Sequence, residues 1–198
     1  MIVTILLWLI LLIASYLIGS IPFGFIVARL RGINITKQGS GNIGATNVWR
    51  TLGPVPGLFV LIMDALKGVA GVLLGGQAGI EGFELLTGMA ALLGHAFPVY
   101  LGFKGGKIIA TGAGVMAALA PPVVMVAFIV FSVVVLAFRY ISLGSICAAL
   151  SVPVFLAIFH YNRMYILFGA TLCLFAILKH IPNIKRLKEG TESRFKFR

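Results

Sequence analysis

The first charged side chain is Arg29, so 28 residues pass before any charge. A second uncharged run is longer, from Ile108 to Phe138. A small water-soluble fold has no place for runs like these. A helix of about 20 apolar residues, by contrast, crosses the hydrocarbon of a bilayer, with its backbone N–H and C=O groups satisfied within the helix. Composition agrees: 60% of the 198 residues are apolar, 11% are charged, and mean hydropathy is +1.09. A soluble domain carries about 25% charge, and disorder needs low hydrophobicity, so both are excluded.

The runs predict an all-α, polytopic membrane protein of about seven transmembrane helices. The expected spans are 1–28, 55–76, 84–101, 108–120, 122–138, 141–159 and 164–180, with a polar tail over 181–198. The run 108–138 is divided because Pro121 and Pro122 remove helix donors in its middle. Seven spans of about 20 residues leave roughly 60 for loops, so 1–198 reads as one integral membrane domain. No positive charge precedes the first apolar run, as a cleaved secretory signal would require.

The chain has 16 Lys and Arg against five Asp and Glu, a net charge of +11. In this layout fourteen of the sixteen cations fall on one side; Arg163 lies opposite and Lys67 lies within a span. The positive-inside rule then places the N-terminus outside, and the C-terminus and the basic loops in the cytoplasm. Most of the charge therefore reads as topology and not as a nucleic-acid surface. Cys147 and Cys173 lie in apolar runs and read as small hydrophobes.

Two basic, glycine-rich loops remain. The first, Lys37–Arg50, packs Gly39, Ser40, Gly41, Asn42, Gly44, Thr46 and Asn47 ahead of Arg50. Glycines let backbone amides approach an anion, and a guanidinium fork suits phosphate. The second holds Lys104, Gly105, Gly106 and Lys107 just before a helix start, where dipole and amides favour anions. Thr111 follows one turn later. Both loops read as phosphate sites, although neither is a P-loop. Topology alone would account for the lysines, but not for the paired glycines.

Among the histidines, His95 and His180 are each either a proton carrier or a hydrogen-bonded helix residue, and His160 reads as structural. Asn183 is either an anion donor or a helix cap. Asp64 and Lys67, three apart on one helix face, read as an ion pair within a span, with a proton relay as the alternative.

What is missing narrows the chemistry. Asp64 is the only aspartate, and no carboxylate cluster suits Mg²⁺, so no metal or cofactor is expected. No histidine is followed five positions later by aspartate, and no Ser–His–Asp or Cys–His set is evident. The chain is rich in phosphate-binding groups and poor in bases.

Four segments, Gly19–Gly24, Gly39–Asn47, Gly94–Lys107 and Asn183–Glu192, together resemble the bacterial membrane glycerol-3-phosphate acyltransferases that use acyl phosphate as donor. The similarity runs over nearly the whole chain, with the segments in the family's order. One departure is Ile108-Ile109, where the family commonly has Gly-Val. The resemblance implies acyl transfer from acyl phosphate to the 1-hydroxyl of glycerol 3-phosphate, giving lysophosphatidic acid and inorganic phosphate, the first step of phospholipid synthesis. Phosphate is a good leaving group and can itself accept the nucleophile's proton, which fits the missing base.

The resemblance also assigns Ser40, Arg50, Lys104 and Asn183 to glycerol 3-phosphate or phosphate, with His180 nearby. It places Gly41, Asn42, Thr46 and Asn47 around the reacting phosphate and carbonyl. Gly39, Gly105, Gly106, Lys107 and Ser145 complete the expected substrate contacts; Ser142 is a lesser candidate than Ser145. The sequence gives neither phosphate to a particular loop. The implied setting is the bacterial cytoplasmic membrane, with the active site facing the cytoplasm. The implied partners are acyl phosphate, glycerol 3-phosphate, the bilayer and the soluble enzyme that forms acyl phosphate. A transporter or flippase for a phosphorylated metabolite or lipid is the competing class; it should show paired internal repeats, and none is evident.

Overall fold

The computed structural model describes residues 2–195. Met1 and, from the basic tail, Lys196 and Arg198 lie outside the described residues. The chain divides into two compact units, Met1–Leu119 and Ala120–Arg198.

Helices occupy the charge-free runs. The first unit holds α1 (Ile2–Ser20), α2 (Phe23–Leu30), α3 (Ala45–Leu52), α4 (Pro54–Gly76), α5 (Phe83–Ala96) and α6 (Ile109–Leu119), with short 3₁₀ turns at Ile35–Lys37 and Val99–Leu101. The second holds α7 (Pro121–Phe138), α8 (Ile141–Ile158), α9 (Arg163–Lys179) and α10 (Ile181–Lys188). Among the described residues, five stretches are long and apolar enough to cross a membrane, six if the pair α9 and α10, bent by 57°, is one span. At 11 residues α6 is shorter, as expected of the abbreviated segment before Pro121.

Prolines and asparagine set several boundaries. Pro22 separates α1 from α2. Pro54 and Pro121 occupy first-turn positions, where a missing N–H leaves no helical bond unmade. The Asn162 side chain caps α9, accepting from the Met164 and Tyr165 amides. Two helices arise where loop or tail was expected. α3 follows the first glycine-rich loop and carries Arg50 in its last turn. α10 forms within the tail, with Pro182 in its first turn.

In the first unit, α4 is the central helix, touching α1, α5 and α6. Small residues let the helices approach at backbone distance. A Cβ on Gly68 would meet the Thr111 carbonyl, and one on Gly114 would meet the Ala65 backbone. In lipid, where no hydrophobic force drives helices together, such close packing is a main source of association. Large apolar side chains such as Ile10, Phe128 and Leu136 are exposed, as suits helices whose solvent is hydrocarbon. Asp64 and Lys67 are the exception inside this unit: both are buried, and Lys67 Nζ lies 2.8 Å from Asp64 Oδ1. Ionisable groups at such depth persist only when paired.

Candidate active site

The first loop is organised by Asn47, on the first turn of α3. Its Oδ1 accepts the Ser40 N–H at 3.0 Å. Its Nδ2 reaches the carbonyls of Asn42 at 2.8 Å, Gln38 at 3.0 Å and Ile35 at 3.4 Å. At 2% exposure, the Asn47 side chain is turned inward and holds the shape of the loop. Asn42 closes a smaller turn, its Oδ1 accepting the Gly44 N–H at 2.8 Å. The Gly41 N–H donates to the Gln38 carbonyl. Gly39 and Gly41 have φ of 56° and 70°, which glycine adopts without a Cβ penalty.

With these bonds made, the amides of Ser40, Gly41 and Gly44 are engaged within the loop. Further donors remain on the side chains. The Ser40 and Thr46 hydroxyls make no hydrogen bond among the described residues. Because Asn42 accepts through Oδ1, its Nδ2 is the remaining donor. Ser40 and Arg50 are exposed, and Thr46 is half-buried.

The second loop sits on the same foundation: Leu101 packs on the apolar cluster formed by Ala28, Ile35, Ile43, Val48 and Val60. Lys104 is exposed and Lys107 half-buried. The paired glycines have a packing reason that the sequence did not reveal. A Cβ on Gly105 would strike the His95 carbonyl and Pro98, and one on Gly106 would strike the His95 ring. The Gly106 N–H donates to the His95 carbonyl at 3.0 Å, so that amide is engaged inside the protein. Ile108, buried, takes φ 61°. A β-branched residue there carries strain of about 1–3 kcal/mol, which a glycine would avoid. Thr111 is fully buried against α4, and its hydroxyl has no hydrogen-bond partner among the described residues.

The second unit has its own polar centre, built on Glu192. Glu192 Oε1 accepts from Ser142 Oγ at 2.8 Å and Asn183 Nδ2 at 2.7 Å, and Oε2 accepts from Arg186 Nε at 2.7 Å. Burial alone would raise this carboxyl, but the three hydrogen bonds and the Arg186 charge outweigh it and hold it below the ordinary glutamate value. The tail continues back to α8: Arg194 Nε donates to the Tyr140 hydroxyl, and the Phe195 N–H to the Arg139 carbonyl. His180, buried at the α9–α10 bend, places Nδ1 2.8 Å from the Ala176 carbonyl, so Nδ1 carries a proton. Ser145 Oγ turns to the Ile141 carbonyl of its own helix. Ser142, the lesser sequence candidate, is the serine bound to Glu192.

The structure thus gathers the predicted residues of 39–50 and 104–107 in the first unit, and Asn183 and His180 on either side of one helix start in the second. Glu192 is the residue sequence reasoning missed. Its one visible signal is an acid after Gly190 amid basic residues. No group of three His, Cys, Asp or Glu side chains suited to a metal occurs among the described residues.

Fold and sites together define an all-helical, multi-pass membrane protein with basic, amide-rich loops. A family model described as glycerol-3-phosphate acyltransferase matches residues 9–190. The chain belongs to that family. It is 52% identical to a glycerol-3-phosphate acyltransferase of Desulforamulus reducens over 183 residues, 91% of this chain and 92% of that one. It is 53% identical to one of Desulforudis audaxviator over 185 residues, 93% of each. Its fold matches the crystal structure of PlsY (YgiH), an integral membrane glycerol 3-phosphate acyltransferase, in the glycerol 3-phosphate form, at 41% identity and TM-score 0.91 over 96% of both chains. The lysophosphatidic acid form of PlsY matches with TM-score 0.89.

Proposed function

We propose that the chain, acting as one enzyme over 1–198, transfers an acyl group from acyl phosphate to the 1-hydroxyl of glycerol 3-phosphate. The hydroxyl oxygen bonds to the acyl carbonyl carbon, and the bond from that carbon to the phosphate oxygen breaks. The departing phosphate takes the hydroxyl proton. Lysophosphatidic acid and inorganic phosphate result. The observation that carries this reading is the set of side-chain donors with no partner among the described residues on one glycine-rich loop, Ser40, Asn42 and Thr46, in a unit that also exposes Arg50 and Lys104. These groups suit phosphate oxygens and a developing oxyanion.

In this reading Lys104 and Arg50 neutralise substrate phosphate. Ser40, Asn42 and Thr46 donate to it or to the carbonyl oxygen. Gly39, Gly41 and Asn47 shape the first loop, and Gly105, Gly106 and Lys107 the second. By family resemblance Ser145 and Asn183 are further substrate ligands, and His180 is a further catalytic residue. The chain crosses the bacterial cytoplasmic membrane seven times, α6 serving as a short span. Its N-terminus is outside, and its basic loops and C-terminus face the cytoplasm. A soluble enzyme supplies the acyl phosphate.

A donor comparison tests the reading. Purified protein in detergent with EDTA is given glycerol 3-phosphate and either acyl phosphate or acyl-CoA. Lysophosphatidic acid is expected from acyl phosphate alone. Turnover with acyl-CoA only, or a requirement for added metal, would overturn it.

A further inference from the structure

The phosphate-binding groups account for the loops but leave the buried ion pair of α4 without a role. Asp64, Lys67 and His95 form one cluster, with 2%, 3% and 4% exposure. Lys67 Nζ sits 2.8 Å from Asp64 Oδ1 and donates to the Ile21 carbonyl at 3.0 Å, beside the break between α1 and α2. His95 Nδ1 lies 3.7 Å from the same Asp64 oxygen. That is ion-pair reach for a protonated imidazole and van der Waals contact for a neutral one, and in either state it is beyond a hydrogen bond. The far edge of the imidazole is the surface on which Gly106 lies, and a methyl group on Gly106 would strike Nε2, Cε1 and Cδ2. The His95 carbonyl also holds the Gly106 amide. His95 therefore stands between the ion pair on one side and the Lys104–Lys107 turn on the other.

We propose that Asp64, Lys67 and His95 are positioning residues for glycerol 3-phosphate: the ion pair fixes the His95 ring, and the ring sets the height of the Lys104–Lys107 turn. An ion pair helps bury two charges, but helix packing alone would be served as well or better by apolar residues of similar volume. One that abuts a ring, which in turn abuts a loop, has a reason to be kept. None of the three touches substrate. Their effect reaches the reaction as a displacement of Lys104, and a misplacement of about 1 Å costs up to ~100-fold. The proposal rests on the reading of that turn as a glycerol 3-phosphate site.

The test compares steady-state constants for both substrates in wild type, Lys104→Ala, the double variant Asp64→Asn/Lys67→Gln, His95→Asn and His95→Gln. The double variant and His95→Asn are expected to raise KM for glycerol 3-phosphate roughly tenfold, with kcat and the acyl phosphate KM within about twofold. His95→Gln, whose amide reaches the position of Nε2, is expected to recover part of the loss. Gly106→Ala should be harmful in wild type and nearly silent beside His95→Ala. Unchanged KM for glycerol 3-phosphate in folded variants would overturn the proposal. So would a parallel fall of all constants with no recovery by glutamine. If the double variant does not fold, His95→Asn, which keeps the ion pair, carries the test; failure of both to fold would mark the cluster as scaffold and overturn it too. If Lys104→Ala itself leaves the glycerol 3-phosphate KM unchanged, the reading of the turn is what fails.

Discussion

Replacing Lys104 by Ala is expected to lower turnover at limiting glycerol 3-phosphate by about 10- to 100-fold, the worth of one charge-assisted hydrogen bond of roughly 1.5–3 kcal/mol. The fold should be unaffected. Lys104 is exposed and makes no hydrogen bond or ion pair with another described side chain, so its removal leaves no buried group orphaned. Lys104→Arg keeps the charge but replaces a compact ammonium with a planar fork, and should recover only part of the rate. Kinetics with glycerol 3-phosphate varied, alongside thermal unfolding in detergent, separate the two effects. Unaltered kinetics would remove the second loop from the site.

The opposite pattern is expected of Glu192→Ala, which should unfold more readily. Three donors, from Ser142, Asn183 and Arg186, converge on this one carboxylate. Removing it leaves them without their acceptor, Ser142 and Asn183 in a buried place and Arg186 with access to water. A loss of about 3 kcal/mol follows from the price of unmatched polar groups, less than three separate bonds would suggest because neighbours couple. For a chain of this size that shifts the unfolding midpoint by about 6–12 °C. Glu192→Gln, with one acceptor oxygen left, should fall between. The carboxyl is held below its ordinary value of 4.5 in the folded protein. Its contribution is therefore fully present above that value and is lost as pH falls through the lower native one. Wild type should lose stability there by a step that Glu192→Gln lacks.

How much of this was legible in the chain depends on the range of the interaction responsible. The two charge-free runs are filled by helices, because a bilayer-crossing helix is specified by its own composition. The break at Pro121 follows from local backbone chemistry. The loops were found through their residue types, but their internal wiring was not. Asn47 reads as a ligand in the sequence, yet in the fold it binds three carbonyls and an amide of its own loop. Gly105 and Gly106 read as anion-binding amides, while their lack of side chains is also demanded by His95 packed beneath them. Glu192 was passed over because the buried place it fills is made in part by Ser142, 50 residues away, although Asn183 and Arg186 are its near neighbours in the chain. No periodicity announces a contact of that span. α3 and α10 were missed for a related reason: each is 8 residues long, too short to be stable alone and held by its neighbours.

The central claim is that one membrane protein joins its two phosphate-bearing substrates and releases only phosphate. The most direct test is stoichiometry: purified protein, acyl phosphate and labelled glycerol 3-phosphate, with lysophosphatidic acid and inorganic phosphate counted in the same reaction. One phosphate released for each lysophosphatidic acid formed, and none without glycerol 3-phosphate, is the predicted result. Phosphate release without the acylated product, or labelled glycerol 3-phosphate carried unchanged into vesicles, would contradict it.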